Sequence, residues 1–75
     1  LVVKFCLDDR GVILEQNRED ITDLMSILKD KGEINIVHSQ DDYFHGVFVY
    51  SELEIVFNQK TDKYEEELYL YFDKK

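Results

Sequence analysis

Two histidines, one cysteine and several close carboxylate pairs are the residues of this chain with the chemistry for a site. His38 and His45 flank a turn that carries Asp41 and Asp42. If the flanking strands pair as a hairpin, the two imidazoles fall nearly opposite each other. With a carboxylate they would offer zinc or nickel a nitrogen and oxygen ligand set. The spacing His-x6-His matches no structural zinc pattern, so the pair reads as two surface histidines beside an acidic turn. No metal or other cofactor is expected.

Cys6 lies between Phe5 and Leu7 in an apolar segment. A nucleophilic thiolate needs a neighbour that lowers its pKa, and the one cation on its strand face is Lys4. A small, semi-buried side chain is the simpler reading. Asp8-Asp9, Asp41-Asp42 and Glu65-Glu66-Glu67 supply carboxylates in abundance. Acid–base catalysis needs two of them in a cleft, in environments that push their pKa values apart. Here they sit in turns and on a strand face. There is no glycine-rich phosphate loop, no Gly-x-Ser-x-Gly and no His-Glu-x-x-His. The chain is read as a non-enzyme.

The elements that would position these groups are mostly strands. The chain has no proline or alanine but is rich in Val, Ile, Phe and Tyr, which favours a pleated surface over a helix. Residues 2–7 alternate Val3, Phe5 and Leu7 against Val2, Lys4 and Cys6. Asp8-Asp9-Arg10-Gly11 is turn chemistry, and a second short strand over 12–15 would complete a hairpin. A helix is expected over 18–31. Asn17 would cap it, Glu19 and Asp20 would lie in its first turn, and Lys29 and Lys31 in its last. Ile21, Leu24, Met25 and Leu28 form its buried stripe, and Gly32 closes it.

Further strands follow at Glu33–His38, within Tyr43–Asn58, and at Tyr64–Phe72. The 43–58 stretch is long for one strand; it either breaks at Ser51-Glu52 or runs on as one bent or bulged strand. The fold class is α+β. It is a two-layer arrangement with one helix packed on a mostly antiparallel sheet of four or five strands, in the order ββαβββ or ββαββ.

Length and composition bound the rest. Residues 1–75 make a single small acidic domain, with 9 Lys and Arg against 17 Asp and Glu and a formal net charge of −8. No apolar run approaches the length of a membrane span, and no secretory leader is expected within these residues. One cysteine can make no internal disulfide and no cysteine-based zinc site, so the small core must hold itself together, and a cytoplasmic location is expected. The negative balance argues against direct binding of nucleic acid, which takes cations, and none is expected.

The acidic face is the lead. If the last two strands pair so that Phe57 faces Tyr64, then Leu53 faces Leu68 and Ile55 faces Glu66 on one face. On the other, Glu54 faces Glu67, Glu52 faces Tyr69 and Val56 faces Glu65. Like charges opposite each other on a sheet are mildly destabilising. Glu52, Glu54, Glu65 and Glu67, with Tyr69 and Tyr71 as anchors, form the expected partner-binding surface. Glu19, Asp23 and Asp30 would extend it from the helix. Such a surface suits a protein partner with a basic groove. It would make the chain an inhibitor or decoy that presents carboxylates where a nucleic acid presents phosphates. In size and composition the chain resembles small phage or mobile-element proteins of that kind. The competing expectation is a regulatory or assembly module, including a homodimer, that docks through a sheet edge or its Tyr-rich face.

Overall fold

The computed structural model describes residues 1–7, 10–30 and 32–75. Five strands and one helix follow in the order ββαβββ: β1 (Val2–Leu7), β2 (Gly11–Asn17), α1 (Thr22–Asp30), β3 (Glu33–Val37), β4 (Tyr43–Asn58) and β5 (Lys63–Lys74). The strands form one sheet in the order β2-β1-β5-β4-β3. Three of its pairings are antiparallel, and the fourth, β1 with β5, is parallel. The α+β class and the largely antiparallel sheet therefore hold, with five strands and a mixed centre.

That centre is where the core lies. Side chains alternate across a strand, so Val3, Phe5 and Leu7 of β1 and Leu68, Leu70 and Phe72 of β5 share one face. All six are buried, together with Leu28 of α1. Ile21, Leu24 and Met25 are partly buried against the same cluster, as the spacing predicts. Phe72 stacks near Phe5 at 6.1 Å and meets Phe48 of β4 at 5.8 Å. Gly46 is buried beside this group. A Cβ there would lie 2.5 Å from the Phe44 ring and 3.1 Å from Phe72 Cβ, so any side chain at this position would have to push the Phe44 ring aside.

The helix is shorter than its expected span. It begins at Thr22, not residue 18, because Asn17 ends β2 in register with Val2, and the Arg18 amide bonds the Leu1 carbonyl. Asp20 takes the role expected of Asn17: its Oδ1 accepts the Thr22 amide hydrogen at 2.8 Å, which holds its carboxyl below the usual range. Glu19 lies before the helix, and Asp23 is the acid of its first turn. At the other end Lys29 lies in the last turn and Gly32 has φ 71°. Lys31 and the Asp8-Asp9 part of the first turn lie outside the described residues; Gly11, with φ 73°, closes that turn.

The long stretch is one strand of 16 residues and does not break at Ser51-Glu52. Its irregularity comes earlier, between Phe48 and Tyr50, where the register against β5 shifts. Beyond that shift the pairing matches the expected one residue for residue, from Phe57↔Tyr64 back to Glu52↔Tyr69. The connecting turn is polar. Asn58 Oδ1 accepts the Lys60 amide hydrogen at 2.9 Å, and Asp62 has φ 56°.

Candidate functional site

β4 and β5 are longer than the strands beside them. β1 pairs with β5 only from Glu67 onward, and β3 pairs with β4 only up to Val47. From Ile55↔Glu66 to the turn, the two strands therefore have no other neighbour among the described residues. Four residue pairs extend as a two-stranded ribbon, about 13 Å of strand. Both of its faces meet solvent, and residues 51–57 and 63–66 are all exposed.

One face of the ribbon continues the face that carries the helix. It bears Leu53, Ile55, Phe57 and Tyr64, all exposed, with Phe57 and Tyr64 in contact at 5.1 Å. The opposite, outer face bears Glu52, Glu54, Val56 and Glu65 and continues down β5 to Glu67, Tyr69 and Tyr71. All six residues expected to bind a partner therefore share one face of two paired strands.

They do not share one environment. Glu52, Glu54 and Glu65 are exposed and make no ion pair among the described residues. Glu65 accepts a hydrogen bond from Asn58 Nδ2 at 3.0 Å. Glu67 stands directly opposite Glu54 but is half-buried and compensated. The Lys4 ammonium lies 3.2 Å from its Oε2, and the Tyr69 hydroxyl donates to the same oxygen at 3.0 Å. These two hydrogen bonds, that of Lys4 first, hold the Glu67 carboxyl below its ordinary range. In return Lys4 is held protonated well above the ordinary lysine range, chiefly by its bond to Glu67.

The expectation of a row of uncompensated charges is thus corrected at Glu67. The residue behind the correction, Lys4, was visible in the sequence only as a neighbour of Cys6. Its strand docks parallel to β5, with Lys4 in register with Tyr69. The ammonium also lies 3.5 Å from Glu15 and 5.2 Å from the centre of the Tyr69 ring.

The tyrosines form a row. Tyr50 stacks on Tyr71 at 4.5 Å, and Tyr71 lies 6.3 Å from Tyr69. Desolvation, and then the charge of Glu52, raise the Tyr71 pKa, while the bond to Glu67 raises that of Tyr69. Both hydroxyls therefore stay protonated at neutral pH.

Other expected groups are placed elsewhere. Because Glu33–Val37 pairs with Tyr43–Val47, His45 faces Asn35, while His38 lies past the strand in the turn. The two imidazoles are not opposite. His45 Nε2 instead approaches Glu33 at 3.7 Å, and Lys75 also reaches that carboxylate. No cluster of three metal-ligating side chains occurs among the described residues. Cys6 is buried, and desolvation raises its pKa, which keeps it a thiol. Asp23 and Asp30 are on the helix, which packs on the face opposite the acidic strip, so they do not extend it.

An open cleft of about 420 Å³ lies on the helix side, lined by Phe5, Leu14, Leu24, Ile34, Arg18 and His38 among others. Its lining among the described residues includes no carboxylate and no thiol. No helix among the described residues is long and apolar enough to cross a membrane. Family models, curated proteins and solved structures were each compared with the chain, and none gives a significant match.

Proposed function

We propose that this chain is a small acidic, non-enzymatic interaction protein whose β4–β5 ribbon docks onto the basic surface of a protein partner. The leading class of partner is a nucleic-acid-handling protein, whose groove the carboxylates would occupy in place of phosphates. That makes the chain an inhibitor or decoy, of the kind made by phages and mobile elements.

The observation that carries this reading is the position of Glu52, Glu54 and Glu65. They lie on one face, exposed and without a cationic partner among the described residues. Glu54 also stands directly opposite Glu67. Lys4 offsets part of that repulsion at Glu67, but the three exposed carboxylates have no such cation, and a face selected only for stability would alternate signs there. The Tyr50–Tyr71–Tyr69 row beside the carboxylates supplies flat, partly apolar area with hydroxyls at its rim, which suits a protein interface.

A second reading is a regulatory or assembly module that docks through the sheet edge. It is favoured by the exposed apolar row Leu53, Ile55 and Phe57.

The test is capture of partners from host lysate on the immobilised protein at low and at high salt, followed by challenge with duplex DNA. The charge-mimic reading expects a retained protein that salt elutes and duplex DNA displaces. Retention indifferent to both would contradict it.

A further inference from the structure

The β4 edge carries a second, independent message. Beyond Phe48, whose amide bonds the Gly32 carbonyl, no strand among the described residues covers β4 on the side away from β5. The stretch Val49–Asn58 is thus an open edge ten residues long, with no proline and no lysine. Proteins usually blunt such an edge, because its unpaired N–H and C=O groups are a template for another strand. Besides the short Lys63–Glu66 side of β5, which carries two acids, the sheet has two further edges, the outer sides of β2 and β3. There the apolar side chains Ile13, Leu14, Ile34 and Ile36 already pack on the core. On β4 they do not: Leu53 is 53%, Ile55 59% and Phe57 45% exposed.

We propose that the occupant of this edge is the same strand of a second copy of the chain, paired antiparallel about a two-fold axis at Ile55. The charges select the register. Centring the axis on Glu54 sets Glu54 against its own copy, and centring it on Leu53 sets Glu52 against Glu54 twice; both are unfavourable. With Ile55 at the centre, Glu54 faces Val56 and Glu52 faces Asn58. This is the longest register inside Val49–Asn58 that places no like charges opposite each other.

On the helix-side face the same register sets Leu53 against Phe57, Ile55 against Ile55 and Phe57 against Leu53. The exposed apolar row becomes its own complement. Leu53 then lies between Leu68 and a Phe57, and Phe57 between Tyr64 and a Leu53. Asn58 gives one amide hydrogen to Glu65, and the second is available for the facing Glu52. The ladder runs over Glu52–Asn58, forms about six to eight main-chain hydrogen bonds, and stops short of β3. Two copies then share one continuous sheet, and the acidic outer face stays open. The dimer therefore stands whether or not the charge-mimic reading does.

The test is the mass of the protein in solution from about 1 µM to about 1 mM, the range in which such contacts assemble. The expected result is a species of twice 9.0 kDa, favoured by added salt, which screens the repulsion between two copies of net charge −8. Ile55→Lys sets two cations on the axis and should give a species of 9.0 kDa with an unchanged circular dichroism spectrum. Ile55→Cys places two thiols at opposed positions, where Cα atoms sit about 5.5 Å or 4.5 Å apart, within disulfide reach. It should cross-link in mild oxidant, while Cys6, being buried, does not. Val12→Cys on β2 and Val37→Cys on β3 should not cross-link. A 9.0 kDa species at every concentration, a dimeric Ile55→Lys, or cross-linking at Val12 or Val37 in place of Ile55 would overturn the proposal.

Discussion

Strand β5 passes through two environments, and its apolar alternation holds in only one of them. Its C-terminal half sets Leu68, Leu70 and Phe72 under the helix and between β1 and β4, and all three are buried. Its N-terminal half sets Tyr64 and Glu66 on the same face with no helix above and only β4 alongside, and both are exposed. The residue types match this difference, with Glu66 standing where the buried half has Leu and Phe. The difference arises from where β1 and β3 stop. A two-stranded ribbon is marginal in water without a third strand or a covering layer. The body of the sheet thus supplies the stability, and the ribbon presents side chains whose burial the fold does not need.

The contrast predicts a graded set of outcomes. Phe72→Ala should be the most damaging change, because it empties the point where β1, β4 and β5 meet. A loss of about 3–5 kcal/mol is expected by chemical denaturation, a large part of what so small a domain has. A loss below about 1 kcal/mol would place the core elsewhere. Gly46→Ala should cost about 1–3 kcal/mol, since the added methyl runs into the Phe44 ring and Phe72. No change on the ribbon should reach that figure.

Lys4→Met probes the boundary between the two regions. In the parent, the Glu67 carboxyl is held below its unfolded value, so its contribution is present above about pH 4.3 and is lost as pH falls through the lower folded value. The variant should return the Glu67 titration toward the ordinary range, as read by carboxyl NMR, and should make acid unfolding less steep. An unchanged Glu67 titration would mean that Tyr69 alone holds the carboxylate. The smallest effect is expected at Glu54→Gln, which relieves the facing Glu54 and Glu67. Stability should hold or rise by a few tenths of a kcal/mol.

The ribbon was the most legible part in the sequence. A polar stretch at 58–63 with Phe57 facing Tyr64 sets the register, although the structure closes one pair further out at Asn58 and Lys63, and strand parity then places Glu52, Glu54, Glu65 and Glu67 together. The helix stripe was legible for the same local reason. What was not legible depends on long-range pairing. Lys4 meets Glu67 because β1 docks parallel to β5, 63 residues away in sequence, and no local spacing signals that contact. Asn17 has the chemistry of a cap, yet pairing with Val2 takes it into the sheet, and Asp20 starts the helix in its place. His38 and His45 separate because the turn between β3 and β4 includes residue 38, so the closing pair is Val37 with Tyr43. In the first two cases pairing with a distant strand overrode a local signal; in the third the hairpin register itself differs from the expected one, with His45 facing Asn35.

The most direct measurement of the division between body and ribbon is the double change Glu54→Gln with Glu65→Gln, followed for melting temperature and for affinity to the captured partner across a salt series. Glu67 is left in place, because it is already paired with Lys4 and Tyr69 and so belongs to the body of the sheet. Loss of two unpaired acids from the ribbon should leave the melting temperature equal or slightly higher. It should also weaken partner binding and flatten its dependence on salt. A variant that binds as tightly as the parent with the same salt slope, or that melts well below it, would contradict the claim that this face serves recognition and not folding.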